Sequence, residues 1–395
     1  MSYASQFIAS GKPVGSTENG FGLLSPKYLP MGSKRLLRTS YPNLQLKFPI
    51  GSLTGWARVL ATAPLVPLIS KMGASLIASG ASGTAALQTS ANNGVSWSSV
   101  TTASFAVSAL VGTAQGVGER AYALSSAAAQ GIRLSGGVVS NLIGGPTSVV
   151  TGTSMSRLIH ASNLASSGNG IIIALPSASG NQLYYVDSGQ ISMSVLTLSE
   201  TAVKQAMAWT GQKLLIIKAG TADMHTSELT TTGSISIAIG NQINVTLPEA
   251  ISSGQGNIAS DQNGTVVITG VASGILLSKN HGGSFDRVLV PGVVPSDTWR
   301  VQYSDGYFMI ETAQGIIISN DGENWFLDDQ TLQTNNVATG IAKMGSTIVQ
   351  IVAASTAAYS MDEQADRFNI PFMRDYQWSP FGSNTPQAQK YIRAR

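Results

Sequence analysis

The sequence predicts an all-β fold, a β-propeller of about seven four-stranded blades. The stretch Trp299–Asp328 holds four short runs rich in β-branched and aromatic residues, separated by breaks of two to four residues. Breaks this short join antiparallel neighbours, and a lone sheet of four strands needs neighbours to bury both of its faces. Turn glycines before each presumed fourth strand then recur at steps of 40 to 52 residues, close to the period of propeller blades. They are Gly94, Gly137, Gly189, Gly233, Gly282, Gly322 and, in a degenerate copy, Gln364.

The four runs of this stretch are expected to form one complete blade. Two of the breaks contain Asp305-Gly306 and Asp321-Gly322, the dipeptides that type I′ hairpin turns favour because glycine adopts positive φ without strain. Both breaks are therefore predicted to be tight hairpins between antiparallel strands. The runs are Trp299–Tyr303, Tyr307–Thr312, Gly315–Ser319 and Asn324–Leu327.

The second and third strands of the remaining blades are placed by the same composition. Each pair of runs precedes one of the turn glycines, or Gln364 in the last copy. In chain order the pairs are Ala74–Ser79 with Thr84–Ser90, Arg120–Leu124 with Gly131–Ser135, Gly170–Leu175 with Gln182–Val186, Lys213–Lys218 with Met224–Leu229, Thr265–Thr269 with Gly274–Ser278, and Ser346–Val352 with Ala357–Ser360.

Three of the turns share a pattern of serine, an acid or amide, glycine and an aromatic residue. The serine and aspartate oxygens can accept hydrogen bonds from the backbone N–H groups of the turn, and the aromatic ring can fold back over the hairpin. The pattern resembles the Asp-box (BNR) turn, which implies a hairpin between the third and fourth strands of a propeller blade. A degenerate relative without the glycine is expected at Ser360, Asp362 and Phe368. The three full matches are Ser319, Asp321, Gly322 and Trp325; Ser90, Asn92, Gly94 and Trp97; and Ser278, Asn280, Gly282 and Phe285.

Composition bounds the class of protein. Charged residues make up 11% of the chain and cysteine is absent, which excludes disulfides, thiolate metal sites and a cysteine nucleophile. Residues 1–30 lack the pattern of a secretion signal, and no apolar run reaches the length of a membrane span, so we expect synthesis in the cytoplasm. A trimeric β-helix or stalk is the rival architecture, but it does not account for aromatic-flanked turns at this spacing.

The two chain ends are predicted to form a unit of their own. Residues 1–30 are interpreted as an extended arm, residues 31–55 plus 369–395 as a small attachment module, and residues 56–368 as the propeller. Formal charge is uneven, with +5 over residues 1–55 and +3 over residues 369–395, against +3 for the whole chain. Basic ends are typical of docking to an acidic partner or of solvated termini. Basic residues do not alternate with aromatic ones, and no nucleic-acid partner is expected.

Short motifs at these ends carry a second resemblance. Tyr41, Pro42 and Leu44 form a YP-x-L segment, and Phe368-Asn-Ile-Pro371 and Lys390-Tyr391-Ile392-Arg393-Ala394 follow near the other end. The segments and their order resemble the tail-collar and tail-fibre proteins of bacteriophages. The resemblance implies a virion module interrupted by a large insertion, with Tyr41, Pro42, Leu44, Pro371, Tyr391 and Ile392 as attachment residues.

No constellation of catalytic or metal-binding residues is evident. His160, His225 and His281 lie in different blades without metal-ligand spacing, and His281 is expected to be exposed in its turn. Asp321 is expected to be a turn acceptor, with the aromatic residues of these turns packed in the core. Glu311 is expected on a strand, where it could face the axis. A sialidase-like site needs an arginine cluster with a Tyr–Glu pair, and the propeller arginines cannot be placed on one funnel from sequence. These arginines are Arg58, Arg120, Arg133, Arg157, Arg287, Arg300 and Arg367.

The sequence therefore predicts a non-enzymatic bacteriophage virion protein without cofactor or metal. The expected role is a tail fibre or tail-tip component that presents a propeller to a host glycan or to neighbouring virion proteins. Its copies are expected to follow the symmetry of the particle. A sialidase-like glycan-cleaving enzyme and a capsid decoration protein are the alternatives.

Overall fold

A computed structural model gives the fold, and nearly all of the part that it describes is β-strand. A 3-10 turn at Arg38–Ser40 is the exception among these residues. The described residues are 17–20, 28–30, 34–41, 52–53, 57–60, 69–79, 87–100, 107–114, 120–125, 131–135, 138–141, 143, 157–164, 168–175, 182–187, 193–196, 204–218, 221–232, 236–252, 257–272, 274–288, 298–312, 315–328, 339–352, 357–364, 367–370 and 389–393.

Five short strands precede the first complete sheet. They are β1 (Thr17–Gly20), β2 (Tyr28–Pro30), β3 (Lys34–Leu37), β4 (Ser52–Leu53) and β5 (Ala57–Leu60).

Six sheets follow, each made of four consecutive antiparallel strands in chain order. We number them blades 1 to 6. Blade 1 contains β6 (Ile69–Met72), β7 (Ser75–Ser79), β8 (Leu87–Ser90) and β9 (Ser98–Val100). Blade 2 contains β10 (Val107–Ala114), β11 (Arg120–Ser125), β12 (Gly131–Ser135) and β13 (Val138–Asn141). Blade 3 contains β14 (Arg157–Leu164), β15 (Gly168–Leu175), β16 (Gln182–Asp187) and β17 (Met193–Leu196).

Blade 4 contains β18 (Lys204–Trp209), β19 (Lys213–Lys218), β20 (Asp223–Thr232) and β21 (Ser236–Thr246). Blade 5 contains β22 (Asn257–Ser260), β23 (Val266–Val271), β24 (Gly274–Ser278) and β25 (Asp286–Val288). Blade 6 contains β26 (Thr298–Ser304), β27 (Tyr307–Thr312), β28 (Gly315–Ser319) and β29 (Phe326–Asp328).

The last sheet, blade 7, draws on both ends of the chain. Its consecutive strands are β30 (Thr339–Met344), β31 (Thr347–Val352) and β32 (Ala357–Gln364). The outer edge of β32 pairs with β5 and, further along, with β4. The N-terminal part of the chain thus supplies the fourth strand of the C-terminal blade.

The blades stack in a closed cycle, so the predicted β-propeller is confirmed. The first strand of each blade contacts the first strand of the next, and β30 of blade 7 contacts β6 of blade 1. Antiparallel order puts the connection between the first and second strands at one end of each blade. In blades 1 to 6 the connection between the third and fourth strands lies at the same end. We call this end of the ring the turn face. The predicted number of blades in the complete protein stays a prediction, because the structure describes only part of the chain.

The core lies between neighbouring blades. One cluster of buried side chains joins blades 4 and 5 and includes Leu215, Ile268 and Phe285. A second joins blades 5 and 6 around Phe308, and a third joins blades 7 and 1. All six residues of β23 and all five of β24 are buried, as expected for sheets covered on both sides.

Blade 7 corrects the prediction of a degenerate hairpin turn near Ser360 and Asp362. Strand β32 runs without interruption from Ala357 to Gln364, so these residues are extended and the chain makes no turn there. The physical reason is that the fourth strand arrives from the other end of the chain as β5, and a hairpin is not needed.

The two chain ends also pair with each other beyond blade 7. Strand β33 (Arg367–Ile370) pairs with β3, and β34 (Gln389–Arg393) lies between β1 and β2 in a three-stranded sheet. Strands from the predicted arm thus join a strand of the predicted module. The domain boundaries themselves stay a prediction.

The interblade core yields a stability prediction. Phe308 is fully buried between blades 5 and 6, and Phe308→Ala should lower the free energy of unfolding by about 3–5 kcal/mol because it leaves a cavity. Val95 is 53% exposed, and Val95→Ala should change it by less than about 0.5 kcal/mol. Denaturant unfolding measures both, and equal losses would contradict the placement of the core.

Candidate functional site

Each of the three turns predicted from the serine–glycine pattern is held by its serine hydroxyl. The turns connect the third and fourth strands of blades 1, 5 and 6, and they lie on the turn face. In each, the serine Oγ accepts a hydrogen bond from the glycine N–H. The pairs are Ser90 with Gly94 at 2.9 Å, Ser278 with Gly282 at 3.0 Å, and Ser319 with Gly322 at 2.8 Å.

The acid or amide at the third position fixes the far side of each turn. Asp321 Oδ1 accepts hydrogen bonds from the N–H groups of Glu323 and Asn324, both at 2.8 Å, and Oδ2 accepts one from Asn324 Nδ2 at 2.7 Å. Asn92 and Asn280 keep one such acceptor, because each binds the N–H group four residues ahead. Burial raises the pKa of Asp321, but these hydrogen bonds outweigh burial and hold the pKa below its usual value.

The aromatic residue closes each turn from the core side. Trp325 Nε1 donates to the Gly322 carbonyl at 2.8 Å, and Trp97 Nε1 donates to the Gly94 carbonyl at 3.1 Å. Trp325 and Phe285 are buried in the clusters between blades, and Trp97 is half-buried against the third cluster. These rings therefore pack against protein.

The turns of blades 1 and 5 contain one residue more than the turn of blade 6, and that residue contacts the preceding blade. Asn93 and His281 have positive φ, at 56° and 58°. Asn93 Nδ2 donates to Thr347 Oγ1 in blade 7 at 3.1 Å, and His281 Nδ1 lies 3.0 Å from the Thr210 carbonyl oxygen in blade 4. The expectation that His281 is exposed was wrong, because its ring bridges two blades and is half-buried.

Of the two hairpins predicted to be type I′ turns, the one at Asp321-Gly322 has a different geometry. Asp305 and Gly306 both have positive φ, at 49° and 86°, as a type I′ turn requires. In the turn between the third and fourth strands of blade 6, by contrast, only Gly322 of the Asp321-Gly322 pair has positive φ. The carboxylate of Asp321 is occupied by the turn's own N–H groups, which favours a longer loop over a two-residue hairpin.

A second polar group joins blades 1, 6 and 7 on the turn face. Lys71 Nζ lies 2.6 Å from Asp305 Oδ1, and the Gly345 N–H donates to Asp305 Oδ2 at 2.6 Å. Burial raises the pKa of Asp305, but the hydrogen bonds from Lys71 and Gly345 and the charges of Lys71 and Lys343 lower it overall. Asp305 is therefore a carboxylate shared by three blades.

A tyrosine, a lysine and a glutamate meet nearby between blades 6 and 7. Tyr307 Oη donates to the Glu363 carboxylate and lies 3.0 Å from both of its oxygens. Lys343 Nζ lies 3.7 Å from Glu363 Oε2 and 4.3 Å from the centre of the Tyr307 ring. Sequence reasoning did not bring these residues together, since the strands β27, β30 and β32 are separated by long stretches of chain.

Other residues considered from the sequence are dispersed. Glu311 is buried on the side of β27 opposite to Phe308, so it does not line the axis of the ring as an exposed group. Arg287 lies on the outer strand of blade 5, paired with Glu249. Tyr41 is half-buried, and Tyr391 and Ile392 belong to β34. Pro42, Leu44, Pro371, Gly137, Gly189 and Gly233 lie outside the described residues.

The described part of the chain offers no cluster of three or more His, Cys, Asp or Glu side chains that could hold a metal ion. Among the same residues, no helix has the length and apolar character of a membrane crossing.

On the turn face, the hydrogen-bonding groups of the three turns are used within the turns and between blades. At these turns, the described part of this face fastens neighbouring blades together.

The turn glycines yield a prediction. A Cβ on Gly322 would lie 2.7 Å from Leu277 Cδ1 of blade 5 at φ +77°, whereas a Cβ on Gly306 at φ +86° would meet nothing within 4 Å. Gly306→Ala should cost about 1 kcal/mol of strain, and Gly322→Ala about 2–4 kcal/mol because overpacking is added. Thermal or denaturant unfolding measures the two variants, and a Gly306→Ala loss as large as that of Gly322→Ala would contradict the contact with blade 5.

Asp321 yields a prediction about pH. Its folded-state pKa is lowered, so its contribution to stability is present above the unfolded-state pKa of about 3.9 and is lost as pH falls through the folded value. Asp321→Asn should cost about 1 kcal/mol at pH 7, since a charged acceptor becomes neutral. The difference from the unaltered protein should shrink below about pH 4. Unfolding free energies measured from pH 7 to 3 test this, and a constant difference would contradict it.

Comparison with known proteins gives the fold and no more. No protein-family model and no curated protein matches the sequence. Among solved structures, a catalytically inactive virginiamycin B lyase from Staphylococcus aureus with quinupristin has a TM-score of 0.55 at 11% identity, over 79% of this chain and 100% of that chain. YCF48 from Cyanidioschyzon merolae has a TM-score of 0.50 at 14% identity, over 78% of this chain and 99% of that chain. At such identities the likeness is one of architecture, and this chain is similar to β-propeller proteins.

Proposed function

We propose that the protein is a structural component of a bacteriophage virion, a tail fibre or tail-tip part that presents its propeller to a host glycan or to neighbouring virion proteins. Its mechanism is presentation, with loops at one end of the ring meeting the ligand. The chain ends fasten the propeller to the particle. The proposal assigns no cofactor and no catalytic residue.

The observation that carries the proposal is the pairing of the two chain ends. The segments that resemble phage tail proteins lie in or beside these paired strands. Phe368 of β33 is opposite Leu36 of β3, and Tyr391 of β34 is opposite Glu18 of β1 and Pro30 of β2. Both C-terminal motifs are therefore paired with strands from the first 37 residues of the chain, as a module interrupted by an insertion requires.

The direction of the strands supports an orientation for the propeller. Strand β32 ends at the turn face with Gln364, and β33 continues from there towards the paired chain ends. When the protein is attached through its chain ends, its turn face is directed towards the particle. The opposite end of the ring, where the second strands end and the third strands begin, is directed outward. That outward end is where we place ligand recognition.

A glycan-cleaving enzyme is the second candidate, and one contact favours it. Tyr307 and Glu363 form the kind of Tyr–Glu pair that a sialidase-like nucleophile needs. However, the pair lies on the turn face with Lys343 beside it. Among the described residues, Arg287, on the outer strand of blade 5, forms its ion pair with Glu249.

A capsid decoration protein without a receptor role is the third candidate.

A binding experiment separates these candidates. The full chain is applied to a glycan array, and each bound glycan is then incubated with the protein and analysed for products. We expect binding without cleavage. Cleavage that is lost in Tyr307→Phe would replace the proposal with an enzyme, and the absence of any binding would leave a purely structural virion part.

Attachment is tested separately. Deleting residues 1–33 removes β1 and β2, the partners of β34, but leaves β3, β4 and β5 in place. The shortened protein should keep the unfolding midpoint of its propeller and should be absent from purified particles. Incorporation at the level of the full chain would contradict attachment through the chain ends.

A further inference from the structure

Blade 7 is closed at its outer edge by strands that come from the other end of the chain. In blades 1 to 6 the outer strand follows the third strand directly along the chain, which keeps it close even when hydrogen bonds open. Nearly the whole chain separates β5 from β32, so chain connectivity gives no such help. We name β4 and β5 the strap. Its pairs are Leu60 with Ala358, Arg58 with Tyr359, Ala57 with Ser360, Leu53 with Glu363, and Ser52 with Gln364.

A second set of contacts closes the same part of the ring at the inner strands. Lys71 lies near the end of β6, the first strand of blade 1, and Asp305 follows the first strand of blade 6. They form an ion pair at 2.6 Å although blade 7 stands between their blades. The same carboxylate accepts the Gly345 N–H of blade 7 at 2.6 Å. We name Lys71, Asp305 and Gly345 the clasp. It holds blades 1, 6 and 7 together at the turn face.

The strap and the clasp act on different strands. The strap pairs with β32, whereas the clasp joins the ends of β6, β26 and β30. Glu363 lies between the two sets. Its backbone pairs with Leu53 of the strap, and its side chain accepts the Tyr307 hydroxyl of blade 6. The outer edge of β32 can therefore lose its partner strands without breaking any contact of the clasp.

We propose that blade 7 is a two-layer closure, in which the strap can release while the clasp keeps the inner ring closed. The strap precedes the ring and is continuous in sequence with β3, β2 and β1, which pair with β33 and β34 outside blade 7. Release uncovers the outer edge of β32, a row of backbone donors and acceptors that is paired with β4 and β5 in the closed ring. This inference does not depend on the proposed virion role.

Hydrogen exchange in the unaltered full chain is the first test. Strand release predicts that the amides of β32 that face the strap exchange about tenfold faster than those of β30 and β31, because local opening needs less free energy than global unfolding. Equal rates in these three strands would mean that blade 7 opens only as one cooperative unit, and would overturn the proposal.

Crosslinking identifies the layer responsible. The chain has no cysteine, so Arg58→Cys with Tyr359→Cys introduces one pair across the strap, and Gln88→Cys with Ser99→Cys is the matched pair between β8 and β9 of blade 1. With the disulfides formed, the first pair should slow exchange of β32 to the rate of β31, and the second should not. Lys71→Met should speed exchange of β6 and β30 instead. An unchanged β32 in the strap crosslink, or a Lys71→Met effect confined to β32, would overturn the separation into layers.

Discussion

The structure depends on the need of each sheet to bury two apolar faces. Strands β23 and β24 are buried along their whole length, which a sheet with one solvated face does not allow. Stacking meets this need for every blade that has two neighbours. A linear stack would leave its first and last blades with one open face each, so closure of the ring is a consequence of the same apolar burial. The cluster between blades 7 and 1 is the contact that closure creates.

Polar interactions have a different role from the apolar core. At the turn face, the serine–glycine turns fix their own shape, and single residues extend from them to the preceding blade. Asn93 and His281 do this with side-chain hydrogen bonds. Gly282 and Gly322 do it by packing directly against a leucine of the preceding blade. These contacts set the register of one blade on the next, while the apolar clusters supply most of the free energy.

The proposed function uses the end of the ring opposite to the turn face. The three serine–glycine turns and the clasp occupy one end of the ring, and their hydrogen bonds join protein to protein. In the proposed function, a ligand recognised by loops binds at the other end. The proposed virion role and the releasable strap both use this asymmetry, since the first needs a fixed end and an outward end, and the second needs a chain end that leaves the ring at a defined blade.

The sequence determined the second and third strands of the blades and the position of the three serine–glycine turns. Gly131–Ser135, Lys213–Lys218, Gly274–Ser278, Tyr307–Thr312 and Gly315–Ser319 are strands with the predicted bounds, because composition and turn residues act over a few neighbouring positions. Tertiary structure decided how distant segments meet. The role of β5 in blade 7, the loss of the hairpin expected near Asp362, the bridge from His281 to Thr210 and the meeting of Tyr307 with Glu363 all join residues far apart in the chain. No local pattern encodes such contacts, since they arise only when blades pack against each other and the ring closes.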